Sequence, residues 1–466
     1  MEQTLPDPNV APGDHRCPGP TYRDIILRDE TGAPPQMLTS EYRYRGSEPI
    51  GYYRYTSKEF LELEFEKVWS RVWQWACREE HIPNNGDYYV YDIGHRSIII
   101  VRGNDGKIRA LNNFCLHRGT QLKPSWDTGN ANRFTCSFHG WAWSTTGNVA
   151  SVPCRWDFPH LSDDDLKMPE IQVDTWGGFV FVNFDPQAQP LHEYLGVMTT
   201  HFTGPWDMTQ RYIELHLRKR LPANWKAAMG AFLEAYHVYK THPEGLRATG
   251  DANAQYDVFE EHVSRFMHTS GTQSPHIEKK LSEQEILDFV LRRRYQNPDD
   301  IPKVPEDKTA RDVFYKLVQE RLAQDYKHDF SDFHVADTLD SIEYYVFPNS
   351  FYFPGASRPM IYRFLPHPEN PDECIFELLF LRFPPDGGVA PAPAKPYDLD
   401  IEDSYMTAPG MDQGLGFVYD QDTDNLAAQQ RGFKGSLRPA ENLGNYQEVR
   451  TRHLHDLVDK YMALPQ

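Results

Sequence analysis

The chain has 466 residues, room for two or three domains at roughly 100–200 residues each. With 39% hydrophobic and 13% aromatic residues it is too apolar to be a disordered chain. The 48 Lys and Arg stand against 67 Asp and Glu, a net charge of −19, which argues against nucleic acid or an anionic membrane as partner.

In chain order, residues 1–50 read as an irregular arm. Ser57–Val72 then repeats Phe60, Leu63, Phe65, Val68 and Val72 at helical spacing. From Gly86 the pattern turns to strand: GDYYVYDI, SIIIVR, an Asn104-Asp105-Gly106 turn, and KIRALNN. A small β domain opens there and closes with the buried-strand run Gly177–Pro186, giving limits of 71 and 187, with residues 1–70 expected to belong to the larger domain.

Asn224–Tyr239 reads as a helix. Ser282 and Glu285 form a capping box before another, and Val313, Phe314, Leu317, Val318 and Leu322 make the apolar face of a third. Aromatic-rich strands are expected at about 343–353, 359–365 and 374–382, followed by a proline-rich linker, Pro384–Pro396, and a helical region after about 400. The fold class expected is α+β: a small all-β domain, and over 188–466 an antiparallel sheet flanked by helices. No apolar run approaches the ~18–20 residues of a membrane span, and the N-terminus lacks the pattern of a secretory signal, so the expected location is cytoplasmic.

The six cysteines are too sparse for a disulfide framework, but two have histidine neighbours. Cys115-Leu-His117 and Cys136-Ser-Phe-His139 each offer one thiolate and one imidazole. Such a set suits one tetrahedral zinc, or a two-iron, two-sulfide cluster with the cysteines on one iron and the histidines on the other. Mixed loops favour the cluster.

A second group lies on the helix NWKAAMGAFLEAYHVYKTHPEG: Glu234 and His237 three apart, and His242 beside Pro243 and Gly245, where a helix end lets it turn back. Alone, this histidine pair is weak evidence. Asp420, Asp422 and Asp424 follow in FVYDQDTDNLAAQQRG, ahead of a helix whose first turn any of them could simply cap.

The loops CLHRG and CSFHGW, with the strand start GDY, GGFVFVNFDP, NWK and EAYHV, resemble the large (α) subunit of the Rieske non-haem iron aromatic ring-hydroxylating oxygenases from about residue 70 onward. The resemblance implies a [2Fe-2S] cluster on Cys115, His117, Cys136 and His139. It also implies a mononuclear Fe(II) on His237, His242 and a later carboxylate, aligned with Asp422 ahead of Asp424. Glu234, where the family usually has aspartate, would bridge the metal centres of neighbouring subunits through His139 and His237.

The implied reaction uses O2 and electrons from a ferredoxin or flavin reductase, with NAD(P)H acting only through that partner. It hydroxylates, first of all cis-dihydroxylates, an aromatic or polycyclic substrate. The alternative is monooxygenation or oxidative demethylation, including that of quaternary amines. A homotrimer, alone (α3) or with a small β subunit (α3β3), is implied. Met229, Gly230, Ala231, Phe232 and Leu233 are the substrate-pocket candidates, and Gly230 and Ala231 would leave room for a bulky molecule. Tyr344, Phe347, Phe351, Phe353 and Phe364 are pocket candidates that read more simply as sheet core.

Overall fold

The computed structural model describes residues 19–295 and 297–465, together with Asn9 and Cys17. The chain divides into two compact units, Leu61–Tyr194 with Tyr461–Gln466, and Met1–Phe60 with Leu195–Lys460. The expected limits of 71 and 187 fall inside the first of these. Among the described residues no helix is long and apolar enough to cross a membrane.

The smaller unit is a β structure. Seven strands pair antiparallel in the order Gln74–Arg78, Phe179–Asn183, Glu170–Trp176, Ile108–Asn112, Arg96–Arg102, Asp87–Ile93 and Thr128–Asn130. The hairpin after Arg102 turns at Gly103–Lys107. There Gly106 takes φ +77°, and the Asp105 carboxylate accepts from the Lys107 amide. Phe179–Asn183, buried throughout, lies between two strands, which is why its run carries no polar alternation. A three-stranded sheet, Arg133–Thr135, Ala142–Ser144 and Val149–Ser151, completes the unit. Cys115, Cys136, Trp141 and Trp143 belong to its core, and the Trp143 indole N–H donates to the Leu166 carbonyl at 2.8 Å.

The helix expected over Ser57–Val72 is Lys58–Lys67. It buries Leu61, Glu64 and Phe65, whereas Leu63, assigned to the apolar face, is exposed. Phe65, Val68 and Val72 of the expected face are buried, so only Leu63 departs from it.

The larger unit carries an eight-stranded sheet in the order Thr249–Val258, Val263–Ser270, Ser341–Val346, Ser350–Tyr352, Met360–Pro366, Cys374–Arg382, Tyr212–Leu221 and Tyr397–Leu399. All neighbours are antiparallel except the last pair. The Ser282–Glu285 capping box forms as expected, at the start of Glu283–Leu291. Three buried ion pairs lie in or against this sheet: Arg265 with Asp257 at 2.7 Å, Arg363 with Glu377 at 2.5 Å, and Arg450 with Glu343 at 2.7 Å.

Candidate metal centres

In the smaller unit the two Cys-His loops are the same turn built twice. The Cys115 amide donates to the Thr120 carbonyl at 2.8 Å and the Gly119 amide to the Cys115 carbonyl at 2.9 Å. In the second loop the Cys136 amide donates to Trp141 at 2.7 Å and Gly140 to Cys136 at 3.1 Å. Closing each turn takes positive φ at its fifth residue, and Gly119 (+75°) and Gly140 (+76°) supply it.

Like donors face like. The two thiols lie within hydrogen-bonding reach of each other, and the His117 and His139 rings are 4.6 Å apart. Amides of His117 and Arg118 point at the Cys115 sulfur, and those of Phe138 and His139 at Cys136. Burial pushes the Cys115 thiol up; at Cys136 burial acts the same way, but the amides outweigh it and bring the thiol down. Trp141 stacks on His117 at 4.9 Å, and the buried His117 Nδ1 has no hydrogen-bond partner.

The separation of this donor set into a sulfur side and an imidazole side fits a two-iron cluster with the cysteines on one iron and the histidines on the other.

In the larger unit the expected continuous helix over Asn224–Tyr239 is broken. Trp225–Gly230 is helical, capped by the Asn224 side chain; the chain then loosens through 231–237, and Val238–Thr241 resumes. Glu234 and His237 are thus not neighbours on a helical face. The break is held by groups distant in sequence: the Tyr256 hydroxyl accepts from the Ala235 amide at 2.9 Å, and the Arg450 guanidinium donates to the Leu233 carbonyl at 3.2 Å.

Within the break, Glu234 accepts both the His237 amide (2.9 Å) and His237 Nδ1 (2.8 Å). His242 Nδ1 lies 2.9 Å from Gln421 Oε1. The two Nε2 atoms converge on Asp422 Oδ1, at 3.4 Å from His237 and 2.7 Å from His242, and the three donors lie within 4.8 Å of one another. With each Nδ1–H engaged, the Nε2 lone pairs are left for a cation. Burial disfavours the protonated form of His237, but Glu234 and Asp422 outweigh it and raise its pKa to about 10. The two carboxylates therefore favour positive charge here, a proton or a divalent cation in its place, and two imidazoles with one carboxylate suit a divalent iron with open positions.

The three acids lie ahead of the helix Leu426–Gly435, as expected, but they do not cap it: they form the last turns of a preceding helix, Gln413–Asp424, which Asp412 caps. Asp420 accepts from the Ser404 hydroxyl and the Tyr405 amide, Asp422 is buried facing the imidazoles, and Asp424 is exposed. The turn of the helix separates their tasks.

A cavity of about 430 Å³ opens beside the three donors, lined by Ala231, Phe232, Phe289, Phe353, Met360, Tyr362 and Phe417 among others. Met229 and Leu233 do not reach it: both are fully buried. Gly230 lines instead a second recess of about 300 Å³ with Glu234, Glu441 and Glu448. Of the five aromatics expected from sequence as sheet core or pocket, Tyr344, Phe347, Phe351, Phe353 and Phe364, only Phe353 lines the cavity. Phe351 and Phe364 stack on Tyr362 and Phe376 in the core, Tyr344 hydrogen-bonds His201 and Arg265, and Phe347 is buried. Sequence reading missed Gln421 and the cavity residues Arg292, Arg293, Arg358 and His268; the adjacency of Gln421 to Asp422 was its one local signal.

Two domain families match the chain: the Rieske [2Fe-2S] domain over residues 72–162, and the ring hydroxylating alpha subunit catalytic domain over 205–464. The chlorobenzene dioxygenase α subunit of Cupriavidus sp. (strain PS12) is 36% identical over 200 residues, 42% of this chain and 44% of that protein. The large oxygenase component of the Pseudomonas putida naphthalene 1,2-dioxygenase system is 33% identical over 234 residues, 49% and 48% of the two chains. The match thus spans about half the length of these relatives or less. Among solved structures, naphthalene 1,2-dioxygenase from Rhodococcus sp. bound to indole superposes with TM-score 0.60 at 20% identity, over 89% of this chain and 94% of that one. A quaternary ammonium Rieske monooxygenase in complex with L-carnitine does so with TM-score 0.60 at 16%, over 89% and 95%. The cofactors of this domain pair are a [2Fe-2S] cluster and a mononuclear iron.

Proposed function

The chain belongs to the family of ring-hydroxylating α subunits, and on that premise we propose that it is the terminal oxygenase component of a system that cis-dihydroxylates an aromatic or polycyclic compound. The observation that carries this reading is the convergence of His237, His242 and Asp422 beside an aromatic-lined cavity, in a chain that also holds the paired Cys-His loops. Cys115, His117, Cys136 and His139 would hold the cluster, and His237, His242 and Asp422 the iron. When bound, these groups supply stored electrons and activation of dioxygen. The overall balance is arene, O2, two electrons and two protons giving a cis-dihydrodiol.

The protein's own part is positional. Glu234 and Gln421 fix the orientation and tautomer of the two imidazoles. Phe289, Phe353, Met360 and Phe417 give the substrate an apolar wall that displaces water. The electrons come from a separate ferredoxin or flavin reductase. In a homotrimer, with or without a β subunit, the exposed loop tip carrying Phe138 and His139 would meet Glu234 of a neighbouring subunit. In support, a neighbouring solved structure is described as revealing inter-subunit electron transfer.

The test is turnover with a ferredoxin and reductase under isotopic dioxygen. Two labelled oxygens in the product of an aromatic panel are expected; a single labelled oxygen, or demethylation, would give the place to monooxygenation. That alternative has its own support in Glu234, one methylene longer than aspartate, and in the 31% identity over 190 residues to the Escherichia coli (strain K12) carnitine monooxygenase oxygenase subunit.

Two substitutions bear on parts of the reading. Cys136→Ser should abolish the visible absorption of the cluster while the mononuclear iron, counted by metal analysis, stays. Ala231 lines the cavity, so Ala231→Phe should lower kcat/KM for two- and three-ring arenes by about tenfold or more relative to single-ring ones. Unchanged size selectivity across the panel would remove Ala231 from the substrate's path.

A further inference from the structure

We infer that the substrate is an aromatic acid, whose carboxylate Arg358 holds in the cavity beside the triad. This rests on the oxygenase reading above and adds to it the substrate's charge. Among the larger unit's buried arginines, Arg265, Arg311, Arg363 and Arg450 each meet a carboxylate, at 2.7, 2.6, 2.5 and 2.7 Å, while Arg211 and Arg452 donate to backbone carbonyls. Arg358 is half-buried. It lines the cavity, and its Nη1 donates to Ser341 Oγ at 2.7 Å and to the Leu339 carbonyl at 3.3 Å, but among the described residues it forms no ion pair. Two neutral acceptors anchor one arm of the guanidinium, and the planar fork that matches a carboxylate has none.

The other charged groups of the cavity leave the same excess. Glu234 and Asp422 are engaged by the imidazoles, and Glu343 by Arg450 and Tyr362. That leaves the exposed Glu244 against Arg358 and the exposed Arg292 and Arg293, neither of which has an ion-pair partner among the described residues. Away from the imidazoles, which Glu234 and Asp422 face, the cavity thus carries three guanidinium groups against one exposed carboxylate. Arg292 lies over the Phe289 ring at 3.5 Å, placing its charge at the apolar wall. His268, on the strand register opposite Ser341, also lines the cavity. The remaining lining is aromatic and aliphatic, and about 430 Å³ accommodates one or two rings with a carboxylate. A quaternary ammonium compound would meet three guanidinium groups of its own sign.

The experiment is equilibrium binding to the fully loaded protein, without oxygen, of 2-naphthoate, its neutral carboxamide and naphthalene. Wild type, Arg358→Gln and Arg358→Lys are compared, with cluster absorption and melting curves as folding controls. Naphthoate should bind wild type at least about tenfold more tightly than the carboxamide. Arg358→Gln should erase that preference and leave naphthalene within about twofold, and Arg358→Lys should keep part of it. Equal binding of acid and amide to wild type overturns the inference, as does an Arg358→Gln variant that weakens all three ligands alike. Should Arg358→Gln fail to fold, the wild-type comparison and Arg358→Lys still decide. Turnover separates the two readings. An acid preference with no oxygenated product refutes the oxygenase and leaves the anion site standing, and oxygenation without acid preference refutes the anion site alone.

Discussion

Asp422→Ala is expected to lose the mononuclear iron and to cut turnover by more than about a hundredfold, the upper range for removing even an outer partner of a metal ligand. The absorption of the cluster should remain. The expectation follows from the packing: Asp422 is 8% exposed and is the one carboxylate facing both Nε2 atoms, at 2.7 and 3.4 Å. His237→Ala and His242→Ala should do the same, since two donors cannot hold the ion against water. Asp424→Ala and Asp420→Ala serve as contrasts. The first removes an exposed group and should leave iron content unchanged. The second removes an acceptor of the Ser404 and Tyr405 turn and should cost stability and leave iron bound. Iron per chain, cluster absorption and product formation check all five; an active, iron-replete Asp422→Ala would move the carboxylate ligand elsewhere.

Arg450→Met carries the largest expected stability loss, about 3–5 kcal/mol. Arg450 is fully buried and donates to Glu343 at 2.7 Å and to the Leu233 carbonyl at 3.2 Å. Removing it strands a buried acid and a backbone acceptor together. Glu343 is already displaced: burial pushes it up, Arg450 and Tyr362 pull it back, and the balance leaves it at about 7. Adding Glu343→Leu should recover most of the loss, because a buried pair replaced by apolar groups is often neutral. What remains reports the Leu233 carbonyl. Denaturant titration of the single and double variants measures both terms, and a single variant within about 1 kcal/mol of wild type would contradict the argument.

The two Cys-His loops are readable in the linear sequence because everything that shapes them is local. Cysteine, histidine and the positive-φ glycine fall within five residues, and each turn is closed by its own backbone. The β hairpins and the Ser282 cap are readable for the same reason. Continuity of the helix from Asn224 was misread because alanine, leucine and methionine favour helix throughout, while the forces that interrupt it come from Tyr256 and Arg450. The helix that follows the acids at 420–424 is legible, as Leu426–Gly435, whereas the helix Gln413–Asp424 that carries them, capped by Asp412, is not. The cavity arginines gave no signal at all. Arg292 and Arg293 follow a helix as ordinary surface cations do, and only the fold brings Arg358 to the cavity wall.

The interruption at 231–237 has a consequence for biosynthesis. Its stray amide and carbonyl are satisfied only when residues 256 and 450 have arrived, and the carboxylate at 422 is nearly as remote. At roughly 5–20 residues per second, a ribosome that has finished His242 needs about ten to forty seconds more before Arg450 exists. Throughout that interval the histidine segment is an unclosed stretch of nascent chain, so iron delivery to this pocket waits until residue 450 has been made.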